Sequence, residues 1–211
     1  MELEIKREYI PLAIILFLGL FYIFLASTTQ MLGEDEAVYY AAATDFSKGS
    51  YPAFTVTGRD TSWPPLIPLI YSFFFLIFGP SLGLAKAVTA TFGVLTVLLI
   101  YLMLKKYDIW LAASASILLL SIPNFTHFMF LSYVEIPIAF FSALMFYIAI
   151  NSHDRKHVLL AGLIAGLAYY VKGSGIILIP ALFLYYMFLF YREKDRKYID
   201  FLNTAKILLL G

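Results

Sequence analysis

Residues Ile10 to Thr28 read IPLAIILFLGLFYIFLAST, an apolar run without a single charge. A helix needs about 20 apolar residues, within a range of roughly 17–25, to cross the hydrocarbon core of a bilayer. This run is long enough, and it follows the basic pair Lys6-Arg7. No convincing small-x-small cleavage site precedes the polar stretch, although Ala26-Ser27-Thr28 comes near one, so the run is read as a membrane helix and not a signal peptide. Working outward, Gln30–Ser62 is polar, with five acids and two bases. Further apolar runs follow at Trp63–Phe78, Gly83–Leu104, Ile109–Leu131, Ile136–Ile150, Val158–Val171 and Gly175–Tyr191. Lys206–Gly211 reads as the start of another.

The composition agrees with that reading. The 211 residues include 15 Lys+Arg, 14 Asp+Glu and no Cys; 62% are hydrophobic and 14% charged. A soluble domain carries about 45–50% apolar and about 25% charged residues. A soluble globule, a disordered chain and a disulfide scaffold are therefore excluded, and the surplus apolar residues must face lipid. A net charge of +1 argues against nucleic acid as a partner, which calls for a basic face. The lack of Cys removes thiolate chemistry and Cys-ligated metals.

Basic residues near helix ends prefer the cytoplasmic side. The clusters are Lys6-Arg7, Lys105-Lys106, Arg155-Lys156 and Arg192/Lys194/Arg196/Lys197. If all are cytoplasmic, an even number of crossings separates each neighbouring pair. Three apolar runs lie between Arg7 and Lys105, so one does not cross. Trp63–Phe78 is short, opens Trp-Pro-Pro and contains Pro68, which makes it the non-crossing one. The expected fold is all-α: a polytopic membrane helix bundle of about six crossings, residues 1–211 forming a single transmembrane domain. Both termini are then cytoplasmic, and residues 30–82 form an outer loop with juxtamembrane helices. The 30–62 stretch, Glu135 and Lys172 all fall on the outer face.

Three stretches carry groups suited to chemistry. Gly33-Glu34-Asp35-Glu36-Ala37-Val38-Tyr39-Tyr40 begins a short helix ending near Gly49. Acids in a first helical turn complement the macrodipole, and that reading stands beside a catalytic one for Asp35. Asp35 with Tyr39, and Glu36 with Tyr40, are four apart and share a face. Glu135 is the single acid between Asp108 and Asp154. A carboxylate at membrane depth costs about 2.5–3.5 kcal/mol on insertion scales and calls for a partner or a function; at the interface it could simply cap the helix begun by Pro137. Lys172, in Tyr169-Tyr170-Val171-Lys172-Gly173-Ser174-Gly175, could snorkel to the headgroups or neutralise a phosphate beside a helix N-terminus. Arg59 and Lys86 are further outer-face cations for the same purpose. His127 is expected to be packed inside, and His153 and His157 to lie on a solvated cytoplasmic loop. Nucleotide-binding glycine loops, zinc spacings and Ser/His/Asp arrangements are missing from the sequence.

These pieces, in order, resemble the N-terminal part of the GT-C membrane glycosyltransferases, in the branch holding protein O-mannosyltransferases and lipid A aminoarabinose transferases. The matching pieces are Asp35-Glu36-Ala-x-Tyr39-Tyr40, Trp63-Pro64-Pro65-Leu66-x-Pro68-Leu69, Tyr133-Val134-Glu135-Ile136-Pro137 and Gly162-Leu-x-x-Gly166-Leu-Ala-x-x-x-Lys172-Gly173. Each alone is a weak signal; the resemblance rests on the ordered set, which spans most of the chain. Some relatives carry Glu-Lys just before the Pro-Pro pair, where this chain has Ser62-Trp63.

The resemblance implies transfer of a sugar from a polyprenyl- or dolichyl-phosphate carrier to an acceptor on the extracytoplasmic face of the cell membrane. It places Asp35 and Glu36 at the reaction centre, with Glu135 as a later acid where Asp is commoner. Tyr39, Arg59 and Lys172 become substrate-binding candidates. A divalent metal is a candidate cofactor without assigned ligands. Relatives usually continue with more helices, so the chain is expected to be part of a larger enzyme. Two alternatives are a catalytically incomplete membrane subunit and a lipid or solute transporter. A transporter places its polar groups near mid-membrane, often on broken helices.

Overall fold

The computed structural model describes residues 9–30, 33–50, 63–151 and 154–193. The described residues are helical, without a strand: α1 (Tyr9–Thr28), α2 (Glu34–Ser47), α3 (Leu66–Phe78), α4 (Leu82–Leu104), α5 (Ile109–Ser121), α6 (Pro123–Met129), α7 (Glu135–Asn151), α8 (Arg155–Val171) and α9 (Leu178–Glu193), with a 3-10 turn at Gly173–Ile177 before α9. Two helices start on an aspartate cap. The Asp108 carboxylate accepts from the Leu111 amide at 2.7 Å and starts α5; Asp154 accepts from the His157 amide at 2.9 Å and starts α8. Asp154 also pairs with the His157 ring, and the two His157 contacts hold its carboxyl below the usual range. The His157 ring, 45% exposed, stays open to solvent at this cap.

α4 is the axis of the bundle. It packs against α1, α5 and α7, and one apolar cluster lies on each side of it. The first joins α2, α3, α7, α8 and α9 around Tyr71, Met145 and Tyr186; the second joins α1, α5 and α6 around Ile15, Val97 and Met129. In lipid, helices gain little from the hydrophobic effect, so their association rests on close approach. Gly83 shows this, since a Cβ there would run into the Ser27 carbonyl of α1. Large apolar side chains cover the outside, among them Phe17, Leu20 and Phe24 of α1 and Leu184, Phe188 and Tyr191 of α9. They are the lipid-facing residues of a membrane protein.

By length and composition, α1, α4 and the segment Gly173–Tyr191 each reach across a membrane, and the α5/α6 pair makes a fourth if it is one span. α7 and α8, of 17 residues each, sit at the lower end of the roughly 17–25 range. The α5/α6 run is not the straight helix Ile109–Leu131: it bends by 68° between Ser121 and Pro123. Pro123 lacks the N–H of the interior ladder and clashes with the turn before it, but it is well suited to the first position of a new helix. The bend also turns His127 outward, so this side chain is exposed rather than packed inside; its ring meets Phe128 edge-on.

α3 has 13 residues, about 20 Å at 1.5 Å per residue, against a hydrocarbon core of about 30 Å. It buries Ile67, Pro68, Tyr71, Ser72 and Phe75. The Tyr71 and Thr89 hydroxyls pair at 2.5 Å and pin α3 to α4. α2 lies on α3, through the Tyr39–Trp63 and Tyr40–Phe75 rings, 5.0 and 5.5 Å apart at their centroids. The result is a short two-helix layer at the end of the bundle where α4 and α7 begin.

Candidate functional site

The site begins at the first turn of α2. Gly33 precedes the helix in extended conformation, and its amide donates to Glu36 Oε2 at 2.7 Å. Glu36 therefore caps its own helix. Its other oxygen leaves the helix altogether: the Ser132 amide and hydroxyl donate to Oε1 at 2.6 and 2.9 Å, and Lys86 Nζ of α4 stands 3.6 Å away. Glu36, Lys86 and Ser132 are all fully buried. A Cβ on Gly33 would meet the Tyr133 hydroxyl, so the two chain segments touch without a gap. One carboxylate thus joins α2, α4 and the turn between α6 and α7.

Glu135 opens α7, three residues after Ser132. Its Oε1 accepts from Lys172 Nζ at 2.8 Å, with the two side chains 35% and 41% exposed. Lys172 ends α8 in extended conformation, its amide donating to the Ala168 carbonyl at 3.1 Å. The chain then turns sharply, the Gly175 amide donating to the Lys172 carbonyl at 2.7 Å. A Cβ at Gly175 would strike the Ala168 carbonyl, which is why this turn takes glycine. Lys172 neither snorkels alone nor stands free: it is paired, and water reaches the pair.

Aromatic side chains join the two halves. Burial pushes the Tyr39 hydroxyl above its ordinary value of 10.0, and the Asp35 and Glu135 charges add to the effect. Tyr133 is raised in the same sense by burial, then by Asp35, Glu36, Glu135 and Glu34. Both hydroxyls stay protonated at any working pH, and both feel acids from two distant segments. Asp35 itself is exposed at the helix start, with Glu34 beside it.

Asp35, Glu36, Tyr39, Glu135 and Lys172 lie together at one end of the bundle. Arg59 lies outside the described residues, as do residues 51–62 of the outer loop and His153. Two details differ from the sequence reading. Lys86 is not an outer-face cation awaiting phosphate; it is buried against Glu36 because the first turns of α4 lie beneath α2. The buried face of α2 is Glu36, Tyr39, Ala42 and Ala43, so Glu36 shares Tyr39's face at a three-residue spacing and Asp35 is left at the edge. Ser132 carries no sequence signal of its own. A lone Lys inside the apolar run 83–104 does, because such a charge needs a partner.

Among the described residues no three His, Asp or Glu side chains gather as metal ligands.

A family model described as dolichyl-phosphate-mannose-protein mannosyltransferase matches residues 62–210, well over half of the chain. The match contains Glu135 and Lys172 and begins after α2. No curated protein and no solved structure matches the chain.

Proposed function

The chain belongs to the dolichyl-phosphate-mannose-protein mannosyltransferase family, a family of membrane glycosyltransferases, and we propose that it moves a sugar from a polyprenyl- or dolichyl-phosphate carrier to an acceptor hydroxyl on the extracytoplasmic face. One observation carries the reading: an exposed carboxylate, Asp35, and a solvent-reachable carboxylate–ammonium pair, Glu135–Lys172, gather at helix ends from three distant parts of the chain. Polar groups at one end of a bundle suit a reaction at the membrane surface. A transport path calls for them near mid-membrane.

The acceptor oxygen bonds to the anomeric carbon while the bond from that carbon to the phosphate oxygen breaks. The acceptor proton passes to Asp35. A carboxylate within hydrogen-bond reach of a hydroxyl acts in this way as general base. The leaving group departs as the lipid phosphate, and Lys172 compensates the charge that develops on it. Glu135 orients the acceptor. Tyr133, partly exposed and held protonated, donates a hydrogen bond to the sugar, buried Tyr39 supports the site from beneath through its ring contact with Trp63, and the carrier's hydrocarbon stays in the bilayer. The active site then faces outward, with both termini in the cytoplasm and residues 30–82 forming the outer loop.

The test is sugar transfer from a polyprenyl-phosphate donor by the full-length enzyme in lipid vesicles. Asp35→Asn keeps the shape and removes the basic oxygen, so turnover falls by roughly 10²–10⁴-fold while carrier binding survives. Glu135→Gln also impairs transfer; Glu34→Gln leaves it close to wild type. Near-normal turnover by Asp35→Asn rules out the mechanism.

A further inference from the structure

Glu36 neighbours the proposed base, yet it is ill placed to touch a substrate. Its side chain is wholly buried, and both oxygens already hold protein donors. A general base must reach the proton it removes. What Glu36 does reach is structure on both sides of the site. Oε2 caps the start of α2, where Asp35 is the preceding residue; Oε1 holds the main-chain amide of Ser132, three residues before Glu135. The link is to backbone at both ends, so it fixes chain segments as well as side chains. Lys86, from α4, brings a buried cation to the same oxygen and ties the arrangement to the bundle's central helix.

We propose that Glu36 is a positioning residue whose buried carboxylate, gripping Ser132 and Lys86, sets the separation of Asp35 from Glu135. The consequence for rate rests on the glycosyltransferase reading above; the mechanical link does not. A displacement of about 1 Å at a reacting group costs on the order of 10²-fold in rate. An amide at position 36 accepts fewer of these donors and leaves Lys86 facing a neutral group. The paired change Glu36→Gln with Lys86→Met removes both buried charges at similar volume. Breaking one side of a buried pair is far more disruptive than replacing the pair.

The experiment uses the full-length enzyme in lipid vesicles, with spin labels at Ala41→Cys on α2 and Asn124→Cys on α6, both exposed positions. The 211-residue sequence contains no Cys to compete for label. Glu36→Gln should broaden the label-to-label distance distribution and lower kcat/KM by about 10²-fold. The acid limb of its pH–rate profile should stay where the wild type has it, because Asp35 remains the base. The double variant should narrow the distribution again and regain at least about tenfold of the lost rate, as an uncharged pair no longer holds one buried charge against a neutral amide. A double variant as inactive as Glu36→Gln, with the acid limb gone, makes Glu36 a reacting group and overturns the proposal. An unchanged distance distribution in Glu36→Gln overturns it whatever the activity. Lack of transfer by the wild type, with the distribution broadened in Glu36→Gln, instead sinks the glycosyltransferase reading and leaves the link in place.

Discussion

Lys172→Ala separates a structural role for the Glu135–Lys172 pair from a substrate-binding one. The two side chains are 35% and 41% exposed at an N–O distance of 2.8 Å. Pairs this open to water contribute about 0.2–1 kcal/mol, because the Coulomb gain is screened and two long side chains lose freedom. Losing the pair should therefore lower the thermal midpoint by no more than about 2–4 °C in a chain of this size. The effect on donor binding is larger. A hydrogen bond to a charged group contributes about 1.5–3 kcal/mol, and each 1.4 kcal/mol is tenfold in affinity, so the donor's KM should rise by roughly 10–10²-fold. Glu135→Gln has the opposite sign on binding. It frees Lys172 from a competing carboxylate, so the donor's KM should stay level or fall while kcat drops. The assay pairs donor-saturation kinetics with thermal unfolding of the same vesicle preparations. A midpoint lowered by more than about 10 °C, with the donor's KM unmoved, makes the pair a structural clamp and refutes the phosphate contact.

Three further tests follow. Gly33→Ala drives a Cβ into the Tyr133 hydroxyl; overpacking of this kind costs about 1–3 kcal/mol, measurable as a lower unfolding midpoint with transfer reduced. Gly175→Ala meets a backbone carbonyl, that of Ala168, and should displace the turn carrying Lys172; it should raise the donor's KM as Lys172→Ala does, and an unchanged KM would detach the turn from binding. Ser50→Cys and Asn151→Cys, both exposed, should react with a membrane-impermeant thiol reagent from opposite sides; labelling from one side breaks the parity of the crossings.

Much of the fold was legible before any coordinates. Long uncharged runs such as Ile10–Thr28 admit one solution in lipid, where every backbone group must find its partner within the helix. The brevity of α3 was readable from Trp63-Pro64-Pro65 and Pro68, and the helix at 34–47 from its acids and from Gly49. The break before α6 was less so: Pro123 sits inside the run 109–131, where a proline either kinks a helix or restarts one. Neighbouring packing decides which, and here it turned His127 outward.

The site divides along the same line. Composition determined by itself that this is an all-helical membrane protein, because the cost of burying charge and unpaired backbone groups in lipid acts on each residue separately. Which acid faces outward and which is locked inside was decided only by tertiary structure. Asp35 and Glu36 are neighbours with the same charge, and the sequence pairs each with a tyrosine four residues on. It is the approach of Ser132, 96 positions away, and the rise of Lys86 from beneath that bury Glu36 and leave Asp35 exposed. A buried carboxylate is tolerable only where donors converge on it, and that convergence is made by segments far apart in the chain.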